Sequence, residues 1–263
     1  LAVASKATTE TLAISDVVGD DLAVIASGPT VGDPSTFRDA SDILACYGVR
    51  AGNNTGIPDR VLAHMRRGLD GDLVDTPTPE RVAQHNLMNR AMVIGGRHTA
   101  MRGAADEAHR LGFHVVTIEA AVVGEARPAA ARHAQRVKEL ATTDLRRPLC
   151  VVSSGETTVH VRGKGRGGRN QEFALAFSET MAGSRLAWCA ASAGTDGVDG
   201  PTDAAGAIVD PGTPARAALA GLEAARAFLD DNNAYAFFHA TGDLINTGPT
   251  GTNVGDIQII LID

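Results

Sequence analysis

A glycine-rich loop with three basic residues runs from Gly163 to Glu172 as GKGRGGRNQE. Its glycines let the backbone approach a ligand closely and leave amide N–H groups to bind an anion. Lys164, Arg166 and Arg169 add positive charge, and a helix predicted to begin near Asn170 adds the positive end of its dipole. The pattern predicts a phosphate-binding loop, and a solvated hairpin loop is the alternative. We assign to phosphate or nucleotide binding Gly163, Lys164, Gly165, Gly167 and Gly168.

Three of these glycines also spell G-x-G-x-x-G, the spacing of a dinucleotide fingerprint. That fingerprint normally follows an apolar strand that is buried on both faces. Here the preceding residues, 157–161, alternate polar and apolar side chains, and no acidic residue ends the next strand to bind a ribose. The spacing is therefore a weak indication of a dinucleotide site.

An acidic loop, SAGTDGVDGPTD, covers residues 192–203 and directly follows an apolar stretch. It contains Asp196, Asp199 and Asp203 within eight residues. Ligands bind at the carboxyl ends of strands in open α/β sheets, and carboxylates there can bind Mg²⁺ or accept a hydroxyl proton. Asp-Gly steps also form turns, so a surface turn is the alternative. We predict metal ligands at Asp196 and Asp199.

Other short polar loops repeat this pattern of a strand followed by small, acidic or hydroxyl residues. The loop TGPTGTN, residues 247–253, is rich in hydroxyl groups and backbone donors that could bind an anion, or it is a tight turn. Similar loops follow residue 14, residue 26 and residue 153. The candidate residues of these loops are Thr250, Gly251, Thr252, Asp16, Asp20, Ser27 and Glu156.

The elements that must position these loops alternate between short apolar runs and helical patterns, which predicts an α/β protein. Strands are predicted at residues 12–15, 91–94, 113–118, 149–153, 157–161, 186–191 and 257–260. Helices are predicted at residues 36–47, 58–69, 99–111, 125–142, 170–181 and 214–229. A polar break at Arg146, Arg147 and Pro148 predicts a domain boundary, with domains at residues 1–147 and 148–263.

The composition of the 263 residues excludes several classes of protein. A net charge of −7 disfavours nucleic acid as a partner. Three scattered cysteines without C-x-x-C spacing argue against a disulfide framework or a zinc site and favour a reducing compartment. No apolar run reaches the roughly 18–20 residues of a membrane span, so we expect no membrane partner and a cytoplasmic location. P-loop, protein-kinase and G-x-S-x-G motifs are absent from the sequence.

Four long segments resemble the class II glycerate 2-kinases, whose C-terminal domain is called MOFRL. They are ISDVVGDDLAVIASGPTVGDPSTF, SSGETTVHVRGKGRGGRNQEFAL, SAGTDGVDGPTDAAGAIVD and FFHATGDLINTGPTGTNVGD. The resemblance implies Mg²⁺-dependent transfer of the ATP γ-phosphoryl group to the 2-hydroxyl of the small molecule D-glycerate. It also implies two α/β domains with mainly parallel, Rossmann-like sheet layers, of which the first is incomplete here.

The resemblance also suggests roles for individual residues. Arg169 would contact the transferring phosphoryl group, and Asp196 would bind Mg²⁺ or the glycerate hydroxyl, with Glu156 and Asp199 as second candidates. The expected substrate-binding residues are Asp16, Asp20, Ser27, Glu156 and Asn170. The family continues upstream with a glycine-rich loop and an active-site lysine, so we expect this chain alone to be inactive. The alternatives are an NAD(P)H-dependent hydroxypyruvate reductase and a catalytically dead truncated homologue.

Overall fold

The computed structural model describes residues 3–4, 7–48, 56–85 and 89–263. The chain folds into two compact units. Unit 1 consists of Leu1–Ala13 and Asp21–Met92, and unit 2 consists of Ile14–Asp20 and Val93–Asp263. No helix among the described residues combines the length and the apolar character needed to cross a membrane.

Unit 1 is largely helical. Strands β1 (Glu10–Ile14) and β2 (Arg90–Gly95), whose last residues belong to unit 2, form a two-stranded sheet. The helices are α1 (Phe37–Cys46), α2 (Asp59–Leu69) and α3 (Pro79–His85). Thr36 begins α1 with a capping box, since its side chain accepts from the Asp39 amide and the Asp39 carboxylate accepts from the Thr36 amide. The predicted helices at 36–47 and 58–69 are therefore present.

Unit 2 contains a six-stranded sheet with the order β3-β4-β8-β5-β6-β7. Its strands are β3 (His114–Glu125), β4 (Leu149–Thr158), β5 (Trp188–Gly194), β6 (Gly206–Val209), β7 (Leu244–Ile245) and β8 (Asp256–Ile262). β3 and β4 are parallel, whereas the pairs β4–β8, β8–β5, β5–β6 and β6–β7 are antiparallel. The α/β class is confirmed, and the described sheet of unit 2 is mixed in direction.

Helices cover both faces of this sheet. They are α4 (Arg97–Arg110), α5 (Ala126–Ala141), α6 (Arg169–Met181), α7 (Thr213–Leu219), α8 (Ala225–Asp230) and α9 (Ala234–Thr241). On one face, Leu149 and Val151 of β4 join the apolar side chains of α5 and α6. On the other face, Cys150 and Val152 pack with the apolar side chains of α4. Burial on both faces explains why the strands are continuous apolar runs.

The structure differs from the predicted elements at several places. β4 continues through Thr158, so the strands predicted at 149–153 and 157–161 are one strand, and residues 159–161 are not part of it. The helix predicted at 214–229 is interrupted near Gly221, whose φ of 70° is not helical. β6, β7, α3 and α9 were not predicted because they are short. The boundary between the compact units lies between Met92 and Val93, whereas a domain boundary was predicted at 147/148. Because β3 is paired with β4, the residues between these two positions belong to unit 2.

Candidate functional site

The loops around the start of α6 line a cavity of about 620 Å³ in unit 2. Gly167, Gly168 and Arg169 contribute one wall, and Asp196 and Asp199 contribute another. The first group comes from the glycine-rich loop and the second from the acidic loop after β5. The structure therefore brings the two loops that the sequence singles out to one place.

Arg169, the first residue of α6, is held by two carboxylates. Its Nε lies 2.8 Å from Oδ2 and 3.0 Å from Oδ1 of Asp256, and its Nη1 lies 3.0 Å from Oε1 of Glu156. Asp256 is 1% exposed, and burial raises the pKa of its carboxyl although Arg169 opposes that rise. Nη2 of Arg169 has no partner among the described residues, so it is a donor available to a ligand in the cavity.

Asp199 caps the N-terminus of α6. Its Oδ1 accepts from the Asn170 amide at 3.0 Å, and its Oδ2 accepts from the Gln171 amide at 2.8 Å. The side chain is 1% exposed, and burial raises the pKa of its carboxyl to about 6. These bonds engage both oxygens of Asp199, so a metal ion would have to share this carboxylate with the helix. They also engage two of the first amides of the helix whose N-terminus the sequence assigned to phosphate.

The first amides of the glycine-rich loop are bound within the protein. The amides of Gly163 and Lys164 donate to the side chains of Asn232 and Asp231, and the amide of Gly165 donates to the Asp231 carbonyl. A β-carbon at Gly163 would lie 2.2 Å from that carbonyl oxygen, so glycine is required for this contact. The amides of Gly163, Lys164 and Gly165 are therefore not free for an anion, and the Lys164 side chain remains as the part of this segment that the phosphate prediction can use.

The last two glycines of the loop are different. The amides of Gly167 and Gly168 have no hydrogen-bond partner within the described part of the chain, and both residues line the cavity. Together with Nη2 of Arg169 they form a smaller set of donors than the sequence predicted. This reduced set contains the donors of the loop and of Arg169 that are free to contact a ligand in the cavity.

Asp196 lies at the turn that follows β5. Its Oδ1 accepts from the Val198 amide at 3.0 Å, and its carbonyl accepts from the Thr250 amide at 3.0 Å. Thr250 also donates its hydroxyl to the Thr195 carbonyl at 2.6 Å, and its Oγ1 accepts from the Thr252 amide at 3.4 Å. Gly251 has a φ of 76°, which suits the tight turn between these threonines. The predicted loop at 247–253 therefore supports the acidic loop through backbone bonds.

The remaining substrate candidates are Asp16 and Asp20 in unit 2 and Ser27 in unit 1. Asp16 accepts a hydrogen bond from Nδ2 of Asn253 at 2.9 Å within unit 2. Asp20 has a φ of 55°, and its carboxylate lies beside Gly96, where α4 begins. Ser27 belongs to unit 1 and has a φ of 60°.

A buried polar network connects the groups of the site. The Asn170 side chain donates to Asp199 at 3.3 Å and to Asp256 at 2.9 Å, and it accepts from the Ser192 hydroxyl at 2.7 Å. These four side chains are each 1% exposed. Asp256, Ser192 and the 231–233 turn are the parts of the site that sequence reasoning missed. A polar residue at the start of an apolar strand was the available signal for Asp256.

No group of three or more His, Cys, Asp or Glu side chains in the described ranges is arranged to bind a metal. Asp196 and Glu156 each keep one carboxylate oxygen without a hydrogen-bond partner among the described residues, and of these two residues Asp196 lines the cavity.

Comparison with known proteins assigns both ends of the chain. The model of the MOFRL family matches residues 149–256, and that of a domain of unknown function (DUF4147) matches residues 1–66. A glycerate 2-kinase of Pyrococcus horikoshii is 40% identical over 265 residues, covering 100% of this chain and 58% of the relative. A glycerate kinase of Macaca fascicularis is 35% identical over 295 residues, covering 95% of this chain and 71% of the relative.

The chain belongs to the glycerate kinase family. The crystal structure of a glycerate kinase from Thermotoga maritima has the same fold, with a TM-score of 0.80 and 37% identity over 98% of this chain and 58% of that one. The resemblance stated from the sequence is thereby confirmed. The chain spans 58% of the length of the Pyrococcus horikoshii relative, so the activity of a whole glycerate kinase is carried over to it only as a proposal.

Proposed function

We propose that this chain carries the phosphoryl-binding part of a glycerate 2-kinase. The reaction is transfer of the ATP γ-phosphoryl group to the 2-hydroxyl of D-glycerate, which gives ADP and 2-phosphoglycerate. The observation that carries the proposal is the set of unpartnered donors in one cavity, namely Nη2 of Arg169 and the amides of Gly167 and Gly168. The names of the relatives, glycerate 2-kinase and glycerate kinase, support the same reaction.

The chemistry of phosphoryl transfer needs positioning and charge stabilisation more than covalent help from the protein. Arg169 supplies a planar, permanently charged donor, which suits a phosphoryl oxygen better than a lysine would. The Gly167 and Gly168 amides add neutral donors that are fixed by the backbone. Such preorganised donors stabilise the charge that develops in the transition state without reorienting.

Asp196 is the residue that fits a magnesium ion. Mg²⁺ in phosphoryl-transfer sites is typically bound by one or two carboxylates together with substrate phosphates, so one free carboxylate oxygen is sufficient. When bound, the ion would neutralise phosphate charge next to Arg169. Asp196 and Glu156 are also the carboxylates that could accept the proton of the glycerate hydroxyl.

The substrate-binding roles of Asp16, Asp20, Ser27 and Asn170 are part of the same proposal, as is the role of Thr250, Gly251 and Thr252 in anion binding. We also propose a cytoplasmic location and a small-molecule partner. All three cysteines of the chain are free, which fits a reducing compartment. The proposal includes family domains at residues 1–147 and 148–263, and the start of the MOFRL match at residue 149 supports the start of the second domain.

The first test is the activity of an Arg169→Ala variant. We expect 2-phosphoglycerate to form from ATP and D-glycerate in the extended protein, which joins this chain to the remaining length of its relatives; the chain alone spans 58% of the Pyrococcus horikoshii relative. In the extended protein, Arg169→Ala should lower kcat by about 10³–10⁵-fold, the range measured for arginines that stabilise transferring phosphoryl groups. Coupled detection of ADP together with direct detection of 2-phosphoglycerate measures both rates.

The matched control is Arg216→Ala. Arg216 also pairs with two carboxylates, Asp210 and Asp243, but it does not line the cavity. We expect this variant to keep its turnover. An Arg169→Ala variant that folds and retains more than about a tenth of the turnover would exclude the catalytic role, because that loss is far below the expected range.

The second candidate function is a hydroxypyruvate reductase, a name that some relatives carry. The separate strand at 157–161 that disfavoured a dinucleotide site does not exist, so that argument no longer applies. A different observation takes its place, because the amides of Gly163 and Gly165 are bound to the 231–233 turn and cannot contact a pyrophosphate. NADH oxidation that depends on hydroxypyruvate would contradict the kinase assignment and support the reductase.

A further inference from the structure

The guanidinium of Arg169 is anchored on one side and open on the other. Nε lies 2.8 and 3.0 Å from the two oxygens of Asp256, and Nη1 lies 3.0 Å from Oε1 of Glu156. Nη2 has no partner among the described residues. Two carboxylates thus fix the plane of the guanidinium and leave one amino group for a ligand.

The two carboxylates differ in how firmly they are held. The Glu156 side chain is 40% exposed, whereas the Asp256 side chain is fully buried. Asp256 is the first residue of β8, and it is aligned with Gly155 of β4 and with Gly194 of β5. Oδ1 of Asp256 also accepts from Nδ2 of Asn170 at 2.9 Å. Asp256 is therefore the rigid anchor of the pair.

We propose that Asp256 is a positioning residue that orients Arg169 so that Nη2 meets a phosphoryl oxygen in the cavity. Asn170 extends this support to the capped start of α6, because the same amide group donates to Asp256 and to Asp199. The inference rests on the proposed function, because it assigns Asp256 its role in that reaction.

Without Asp256, the long side chain of Arg169 would lose its contact at Nε and regain rotamer freedom. Misplacement of a catalytic group by about 1 Å can lower a rate about 10²-fold even when the group itself is intact. A positioning role therefore predicts a loss that depends on Arg169, whereas a purely structural role predicts a loss that depends on stability.

The test compares Asp256→Asn with Asp243→Asn in the extended protein. Asp243 is a matched control, because its side chain is 12% exposed and its Oδ2 accepts from Nε of Arg216 at 3.1 Å, outside the cavity. Measurements are kcat and KM for ATP and D-glycerate, the affinity for ADP by isothermal titration, and the midpoint of thermal unfolding. Each substitution is also made in the Arg169→Ala background.

We expect Asp256→Asn to lower kcat/KM by roughly 10–100-fold. We expect a parallel loss of ADP affinity, whereas Asp243→Asn changes neither quantity even where its thermal midpoint falls as far. In the Arg169→Ala background, Asp256→Asn should add no further loss, because its effect acts through that side chain. Two results would overturn the inference. One is an equal loss of kcat/KM for the two aspartate variants at equal stability, and the other is a loss of kcat/KM from Asp256→Asn that is as large in the Arg169→Ala background as without it.

ADP binding separates this inference from the proposed function. If the extended protein binds ADP through Arg169 but phosphorylates no glycerate, the proposed function fails and the inference is decided by ADP affinity alone. If the extended protein forms 2-phosphoglycerate while Asp256→Asn leaves both kcat/KM and ADP affinity intact, the proposed function stands and the inference fails. Absence of ADP binding by the extended protein overturns the inference as well.

Discussion

The carboxylate of Asp199 accepts three hydrogen bonds at the start of α6, two from backbone amides and one from the Asn170 side chain. Gly168 leaves the space for this contact, since a β-carbon there would lie 2.2 Å from Cγ of Asp199. A negative charge at a helix N-terminus is favourable, but burial opposes it and raises the pKa of Asp199 to about 6. The residue therefore combines a strong cap with a costly buried charge.

This balance predicts the effect of Asp199→Ala. The substitution leaves two helix amides and one side-chain donor of Asn170 without their acceptor inside the protein. Buried unsatisfied donors cost about 1–3 kcal/mol each, and removal of the buried charge offsets part of that cost. We expect a net loss of about 2–4 kcal/mol in the free energy of unfolding at pH 7, measured by urea unfolding.

Asp203→Ala is the control for this substitution. Asp203 lies in the same loop, is exposed, and accepts one hydrogen bond, from the Tyr235 hydroxyl. Its loss should change stability by only about 0.5 kcal/mol, as for most surface positions. If the two variants unfold at the same urea concentration, Asp199 is not the cap that the geometry indicates.

At the scale of elements, the glycine-rich loop is built against the turn at residues 231–233. The side chain of Asn232 accepts from the amides of Arg162 and Gly163 and donates to the His160 carbonyl and to Oε2 of Glu172. Glu172 in turn pairs with Arg127 of α5 at 2.6 Å. The first half of the loop is therefore a rigid support, and the second half, at Gly167 and Gly168, carries the free donors.

The space around a glycine predicts the effect of replacing it with alanine, and Gly163 and Gly103 should give opposite results. A β-carbon at Gly163 would lie 2.2–2.4 Å from backbone atoms of Asp231, so Gly163→Ala must displace the turn. We expect a loss of about 1–3 kcal/mol in the free energy of unfolding. Gly103 lies inside α4 with open space around it, so Gly103→Ala should stabilise the protein by about 0.5–1 kcal/mol.

Both variants are measured by urea unfolding with the fluorescence of Trp188, which is buried in unit 2. A Gly163→Ala variant as stable as the unmodified chain would show that the loop is not packed tightly on the turn.

The same elements show how far the sequence leads. Apolar periodicity located most strands and helices, because burial on both faces of the sheet leaves a pattern in each segment. The pattern of glycines and cations also located the loop. The pattern could not show that Asp231 and Asn232, nearly seventy residues later, accept hydrogen bonds from the amides of the loop. The loop that contains Asp199 has the composition of a metal-binding loop. Only the fold reveals that Asp199 caps a helix that begins thirty residues earlier.

At the scale of the molecule, unit 2 also buries His133, a titratable group that does not line the cavity. The His133 ring lies 3.2 Å from the Ser153 hydroxyl and packs near the rings of Phe173 and Phe177. His133 is 6% exposed, and burial lowers the pKa of its imidazole from 6.5 to about 4. The folded state therefore holds this histidine neutral where the unfolded chain would protonate it.

His133 and Asp199 act on stability in opposite directions as the pH changes. Below pH 6.5 the unfolded chain takes up a proton at His133 before the folded chain does, so stability falls as the pH is lowered toward 4. The raised pKa of Asp199 means that the folded chain takes up the proton first, so stability rises as the pH falls from 6 toward 3.8. Each shift is worth about 3 kcal/mol, so the two slopes largely cancel between pH 4 and pH 6.

Replacement of His133 should remove its contribution to the pH dependence of stability and leave that of Asp199. Glutamine keeps a hydrogen-bonding group for Ser153 but cannot take up a proton in this range. We expect His133→Gln to be less stable than the unmodified chain at pH 7, because the ring packing is lost. By pH 4.5 the difference should shift by about 2–3 kcal/mol in favour of the variant, because the variant has no histidine to protonate on unfolding. Urea unfolding followed by Trp188 fluorescence at both pH values measures this shift.

The control is His109→Gln, at an exposed position on α4, which should follow the unmodified chain at both pH values. A stability difference for His133→Gln that is the same at pH 7 and pH 4.5 would mean that the buried ring is protonated in the folded protein as readily as in the unfolded one.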